Sequence, residues 1–576
     1  MGTKWMIEGT IDPRWPINTR GNIGEVFPEV LTALSYELGV VPAERAWRDA
    51  YAELGIHSDG DFQTDDPVII GLYGGYCYLN LSYLRMMGVR APGSSAEAID
   101  VAFFGEGNPP PYQSRKGDKS LSSSLKILRT VMGALGTDEL PDVVADSFAR
   151  VDVRERSRPS LDAPDEELLA FLYSLPEAFA PVFGNHMKST AIAAIVSGVL
   201  ADACAAAGEP GLVTHLIGAS GEVRSARYSQ ELYALAGIAR NEPAVSAAFE
   251  EGVDGLLDRL RASDDDGAGR FLESFGGFVA EHGHRGPNDW ELSSRTWENT
   301  PELALAAVDS MRRAEHDLSP GTRLGDDEQK RQEAVAVVRP HLNFLDKMNF
   351  DKAVKSVKYW SQAREATRDR AVRVTFSTKQ VYRELVRRGA QRGGNPDPVK
   401  VALLFPRTEL PQHLADPSSM ADVVAERGAL FDRYSAVEPK FFISSQDEVP
   451  TIEELEADQP EADGVVAVGT SLTGSAGCSG VATGRARVVL DPADGAALEP
   501  GEILVAPLTD PSWTPLFLPA AAVVVNVGAL MSHAVIVARE LGIPCVVAVE
   551  GATDKLQTGM MVTVDGTEGT VTVVDG

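Results

Sequence analysis

Residues 522–547, AVVVNVGALMSHAVIVARELGIPCVV, decide how the C-terminal part of the chain folds. The run Val523-Val524-Val525-Asn526-Val527 reads as a buried strand and breaks at Gly528. A helical pattern follows, with Ser532 as N-cap, Gly542 just past the end and Pro544 beyond. His533 therefore falls on the first turn of a helix. The start of a helix presents unpaired backbone N–H groups and partial positive charge, which hold a phosphoryl group where it forms. Imidazole is a nucleophile whose pKa lies near neutrality. One histidine at a helix start is equally well explained as a hydrogen-bonded cap or core residue, so its surroundings have to decide.

Upstream stand residues 479–488 (SGVATGRARV), 501–506 (GEILVA) and 509–515 (TDPSWTP); downstream stands 559–571 (GMMVTVDGTEGTV). In that order these segments resemble the swivelling phosphohistidine domain of the phosphoenolpyruvate (PEP)-utilising enzymes, among them PEP synthases, pyruvate phosphate dikinases and rifampin phosphotransferases. The resemblance implies a small α/β domain in which His533 is transiently phosphorylated, with Gly528, Ser532 and Arg539 around it. Met531 stands where many members carry a small hydroxyl residue, and the Leu530-Met531 pair looks more like the rifampin phosphotransferase branch.

At 576 residues the chain exceeds one hydrophobic core and divides into domains. Its net charge of −30 argues against a nucleic-acid ligand, which demands a basic face. Cys77, Cys204, Cys478 and Cys545 lack metal-ligand spacing and form no disulfide framework, so no metal site is expected and a reduced cytoplasm fits. The start, MGTKWMIEGT, does not have the order of a signal peptide. The apolar run at 191–207 carries Ser197 and Asp202 and reads as a buried helix rather than a membrane span.

Helical periodicity dominates residues 121–388. The expected organisation is a large, mainly α-helical acceptor-binding domain over 1–443, an acidic hinge over 444–470 and the swivelling domain over 471–576. The hinge expectation rests on SSQDEVPTIEELEADQPEADG at 444–464, which is acidic and contains proline. Near the start, WPINTRGNIGEVFP at 15–28 places Arg20, Asn22 and Glu25 around two glycines, as a loop entering a helix or as a site loop. It resembles the opening of the acceptor domain in rifampin phosphotransferase-like proteins, which implies that those three bind substrate or phosphoryl. GLYGGYCYLNL at 71–81 suits close core packing, a small-residue helix contact or a flat ligand.

The most informative internal stretch is FLESFGGFVAEHGHRGPNDWEL at 271–292. A helix ends at Gly283, and His284, Arg285 and Glu291 emerge behind it. These types can deprotonate a hydroxyl and hold an incoming phosphoryl group, although His and Arg at a helix C-terminus also complement its dipole. GHRG with a following acid and WENTP at 297–301 resembles a signature of the same family, which implies catalytic roles for His284, Arg285 and Glu291. In AREATRDR at 363–370, Arg364 and Arg368 share a helix face, as a phosphate clamp or as a solvated stripe.

No Gly-Lys-Ser/Thr phosphate loop is found, nor a recognisable ATP-grasp domain or pyruvate-binding barrel. By resemblance to two-component aryl-phosphate synthases, a separate ATP-grasp subunit with ATP and Mg2+ is expected to charge His533 with the β-phosphoryl, leaving AMP and Pi. The acceptor is then a small, phenolic hydroxyl compound. An antibiotic phosphotransferase component, a PEP synthase- or dikinase-like enzyme and a non-catalytic phosphocarrier are the alternatives.

Overall fold

A computed structural model describes residues 7–575 apart from 93, 105–108, 219–223, 314–323, 459–463, 492–497, 510–512 and 529–531. Met531, most of the 218–226 loop and part of the acidic segment lie outside the described residues. The helices that build the site are α1 (Leu121–Leu135), α2 (Leu175–Ala206), α3 (Arg224–Asn241), α4 (Asp266–His282), α5 (Glu302–Arg313), α6 (Phe344–Gln391) and α7 (His533–Leu541).

The 48-residue α6 is the spine of the helical domain. Asn343 caps it by accepting from the backbone N–H groups of Leu345 and Asp346. Phe350, Ala353, Val357, Trp360 and Ala363 recur at spacings of three and four and form its buried stripe. That stripe packs on α2, which is also the one described helix long and apolar enough to cross a bilayer. Phe179, Val182, Phe183, Val196 and Leu200 of α2 are buried in the protein core, as the sequence led us to expect of this segment. A second core gathers α3, α4 and α5 around Phe271, Phe275 and Phe278, spaced four and three apart on α4. As anticipated, α4 ends at Gly283, which leaves GHRG in the loop behind it.

The helical domain also holds a four-stranded antiparallel sheet, in the order β2-β3-β1-β4, that helical periodicity did not reveal. Its strands are β1 (Asn18–Thr19), β2 (Ile70–Tyr73), β3 (Tyr76–Asn80) and β4 (Phe442–Ile443). The 71–81 segment is thus a hairpin, and its Tyr76 hydroxyl donates to the Tyr434 carbonyl. Gly74 and Gly75, at φ 55° and 79°, form its two-residue turn between paired Tyr73 and Tyr76.

The C-terminal domain is an eight-stranded sheet containing β5 (Ser471–Thr473), β6 (Ser475–Cys478), β7 (Val481–Val488), β8 (Ile503–Ala506), β9 (Ala522–Val525), β10 (Cys545–Val547), β11 (Met561–Asp565) and β12 (Thr570–Val573). The order is β5-β12-β11-β7-β8-β9-β10-β6, with β7, β8, β9 and β10 mutually parallel. Cores on its two faces bury Val523 and Val525 on one side and Val524 on the other, which explains the unbroken apolar run. The α/β class and the large helical domain are as expected.

The 444–470 segment differs from the expected hinge at its start. Residues Ile452–Ala457 form a short helix opened by a Thr451–Glu454 capping box. Ile452 and Leu455, three apart, are 0% and 2% exposed in the helical-domain core. At the other end the Val466 N–H donates to the Lys555 carbonyl of the α/β domain. Leu455→Ala is accordingly expected to destabilise the helical domain by about 2–4 kcal/mol in urea unfolding. An unchanged midpoint would mean that this stretch is a free hinge after all.

Candidate functional site

Ser532 is the extended N-cap of α7 and Gly542, at φ 66°, its left-handed C-cap, so the cap grammar of 522–547 is realised. Gly528 is required by close approach, since a Cβ there would lie 2.9 Å from that of Val547. Ser532 is buried but makes no side-chain cap, and its Oγ has no hydrogen-bond partner among the described residues. Arg539 sits two turns along α7, where its Nε donates to the Gly477 carbonyl at 2.9 Å. It anchors α7 to β6 and does not surround the imidazole.

The His533 ring is held at both nitrogens. Nδ1 lies 3.1 Å from Thr509 Oγ1 and Nε2 lies 3.1 Å from Thr514 Oγ1. The Tyr228 hydroxyl, on α3 of the helical domain, donates to Thr514 Oγ1 at 3.2 Å. Two tautomers satisfy all three contacts: Nδ1–H donates to Thr509 while Thr514 donates to Nε2, or Nε2–H donates to Thr514 while Thr509 donates to Nδ1. In the first, Nε2 keeps its lone pair on the side bonded, through Thr514, to the helical domain. Burial, then Arg368 and then Arg285, pull the His533 pKa down to about 3, so the ring is a neutral nucleophile.

The α/β domain is thus docked on the helical one. Glu25 Oε2 accepts the backbone N–H of His533 at 3.2 Å, which places a carboxylate on the orphan donors of the α7 N-terminus. Burial pushes the Glu25 pKa up to about 8, against the pull of that hydrogen bond. Arg295–Asp491 at 2.6 Å, Ser310 Oγ to the Leu498 carbonyl and Leu518 packed on the α3–α5 core complete the described contact.

Arg20 and Asn22 do not reach His533. The buried Arg20 guanidinium donates to the carbonyls of Cys77, Phe27 and Pro28, and so shapes the loop that presents Glu25. Asn22, exposed and at φ 66°, is the turn residue of that loop.

The GHRG loop is fixed from behind. A Cβ on Gly286 would meet the Arg295 carbonyl oxygen at 2.2 Å, so only glycine fits. Arg285 pairs with Asp289 at 3.2 Å, and Arg368 approaches the same carboxylate at 3.7 Å. Burial works to lower the Arg285 pKa, but Asp289, Tyr228, Asp369 and Glu365 outweigh it and hold the group fully charged. Arg368 is lowered by burial and by Arg285. The buried Lys379 ammonium grips the loop through the Asp289 carbonyl at 2.9 Å and Ser294 Oγ at 2.7 Å.

His284 and Glu291 are each engaged by other groups of the helical domain. His284 Nε2 pairs with Asp369 Oδ1 at 3.0 Å and rests against Phe376, along α6 from Arg368. Glu291 Oε1 accepts from Thr32, Ser35 and both the N–H and the hydroxyl of Ser293, which ties the loop to the N-terminal segment. All four donors converge on Oε1, which makes that oxygen a brace for the loop.

Residues without an assigned role in the sequence complete the site. Trp290 stacks on His186 at 6.2 Å, meets Phe183 edge-on at 5.8 Å and Phe179 at 6.3 Å, and has Arg368 6.0 Å from its ring. Burial, then Arg368 and Arg364, lower His186 to about 3, which places both arginines of the predicted pair near this ring. Thr509 and Thr514 flank TDPSWTP and were legible as a motif; Tyr228, Asp289, Asp369 and His186 carried no local signal. Among the described residues no group of three His, Cys, Asp or Glu side chains is placed to hold a metal ion.

Residues 498–569 match the mobile domain of PEP-utilising enzymes, and residues 185–366 match the fourth domain of rifampicin phosphotransferases. A prodigiosin synthesizing transferase of Serratia marcescens is 26% identical over 99% of this chain and 64% of its own length. An uncharacterised protein of Mycobacterium tuberculosis is 28% identical over all of this chain and 63% of its own. A rifampicin phosphotransferase of Streptomyces sp is 30% identical over 74% of this chain and 50% of its own. The chain thus spans under two thirds of the length of these curated relatives. With the mobile domain matched in sequence and its histidine docked on a helical domain of rifampicin phosphotransferase type, the chain belongs to the PEP-utilising enzymes.

Proposed function

We propose that the protein is a phosphotransferase in which His533 carries a phosphoryl group to a hydroxyl acceptor bound between α2, α6 and the GHRG loop. The observation that carries this reading is the docked imidazole, half-buried, neutral and held through Thr514 and Tyr228 against the acceptor domain. The Nε2–P bond breaks and a P–O bond forms. The imidazole recovers its Nε2 lone pair and keeps Nδ1–H on Thr509. Arg285 and Arg368 balance the charge of the group in flight.

The acceptor proton goes to Glu25, the carboxylate that touches the carrier residue, in place of the His284 and Glu291 expected as bases. A base with a pKa near the working pH suits this step. Phe179, Phe183, His186 and Trp290 favour a flat, phenolic acceptor. The match over 185–366 favours a second acceptor class, an antibiotic hydroxyl, for which the chemistry is the same.

Because both ring nitrogens of docked His533 are closed off by Thr509 and Thr514, the latter held by Tyr228 of the helical domain, charging requires the α/β domain to turn away. In this reading a separate ATP-grasp protein supplies the β-phosphoryl of ATP, with AMP and Pi as co-products. Mg2+ belongs with the nucleotide there, since the groups at His533 are guanidiniums and carboxylates already engaged, which suit an anion. A PEP-charged or purely carrier role lacks comparable support in the site.

With β-labelled ATP and an ATP-grasp partner, or with phosphoramidate as chemical donor, acid-labile label is expected on His533 and absent from His533→Asn. Arg368→Gln should retain the label but slow its transfer to a panel of phenols and rifampicin by about 10²–10³-fold. Label that settles on another residue would overturn the reading.

Transfer depends on ionised Glu25, so its rate should rise with pH through about 8, as the carboxyl loses its proton. Glu25→Gln is expected to lower the plateau by about 10²–10⁴-fold and to remove the alkaline rise. A Glu25→Gln profile parallel to that of the wild type would remove Glu25 as the base and leave the carrier role of His533 standing.

A further inference from the structure

Helix α1 has two apolar faces. On one, Ser123, Ile127 and Ala134 are buried in the helical domain, and the Thr130 hydroxyl donates to the Leu54 carbonyl. On the other, Leu121, Leu125, Leu128 and Met132 are 80%, 61%, 46% and 45% exposed. Single exposed leucines are ordinary, whereas four in register on one helix mark a surface that another helix covers. Their spacing of four, three and four residues is that of a coiled-coil seam. Nothing in the phosphoryl-transfer site uses this face.

We propose that α1 pairs with α1 of a second copy of this chain, antiparallel and about a twofold axis. The charges at its ends select this occupant. Exposed Lys116 and Lys119 precede the helix, and exposed Asp138 and Glu139 follow it. Antiparallel pairing sets each basic end against the acidic end of the other copy, at both ends at once. It also places carboxylates near each helix N-terminus and ammonium groups near each C-terminus, in line with the helix dipoles. Parallel pairing would oppose like charges.

The register follows from the seam. Leu121 meets Met132 of the second copy and Leu125 meets Leu128, both combinations sharing one twofold centre. Arg129 then lies beside Ser122 of the second copy and Val131 beside its Ser124, so no like charges meet beside the seam. This contact is isologous and closes at two copies. Specific pairs bury at least about 1,000 Å² in total, and four large exposed or half-exposed side chains from each copy with their flanks amount to that order.

Sedimentation velocity of the full chain from about 1 to 100 μM is expected to show a dimer at low salt. Leu125→Glu should weaken it by at least about 100-fold, because a charge at the seam is left unpaired. Its circular dichroism should match the wild type, since Leu125 is exposed in the single copy. Reversal of Lys116 and Lys119 to Glu should weaken the dimer, and added reversal of Asp138 and Glu139 to Lys should restore it. A wild-type chain that stays monomeric at 100 μM, or a dimer that Leu125→Glu leaves unchanged, would overturn the proposal.

Discussion

In the proposed reading the structure depends on one constraint: an imidazole that must be dry where it gives up a phosphoryl group has to be charged in another place. Water would otherwise compete with the acceptor for the same group. The docked contact satisfies the first half with few bonds. Tyr228 reaches Thr514, Glu25 reaches the His533 N–H, and Arg295 reaches Asp491. This surface is polar, with Leu518 packed on the α3–α5 core as its described apolar element. Such a contact resembles a transient interface rather than a fused core, and so suits a domain that must come and go. Each polar bond can be exchanged for water on undocking at small net cost.

The electrostatics are arranged around that reversible contact. Arg285 and Arg368 share Asp289, so the loop presents more cation than it neutralises internally. Burial, reinforced by their field, keeps His533 unprotonated, and the same field favours a phosphoryl group in transit. Lys379 keeps the loop in place from below, so the two guanidiniums need no reorganisation when charge arrives. Glu25 brings a carboxyl that burial keeps protonated up to about pH 8 to the α7 side, on a loop shaped by Arg20, whose donors are used on backbone carbonyls.

Much of this was legible in the chain, and what was not has a common cause. The strand, cap and helix around His533 are local, so Gly528, Ser532 and Gly542 could be read in order. The end of α4 at Gly283 was local too. The direction of each side chain in the following loop is not. His284 turns to Asp369, and Glu291 to Thr32, Ser35 and Ser293. Partners more than eighty or two hundred and fifty residues away leave no trace in the local pattern. The small sheet escaped for the same reason, since β1 pairs with β4 across the whole domain, although Gly74-Gly75 marked its hairpin. Ile452 and Leu455, three apart within an acidic stretch, were the overlooked sign that the start of the expected hinge is folded.

The division of labour within the site carries a consequence for specificity. The groups assigned to phosphoryl transfer in the proposed reading lie on the loop after α4, on α6 and on the docked α/β domain. The rings that would meet the body of an acceptor, Phe179, Phe183 and His186, come from α2, and Trp290 closes against them. Ring contacts recognise shape and flatness without demanding a particular functional group. A change on α2 can therefore alter the acceptor while leaving Asp289, Arg285 and Arg368 untouched.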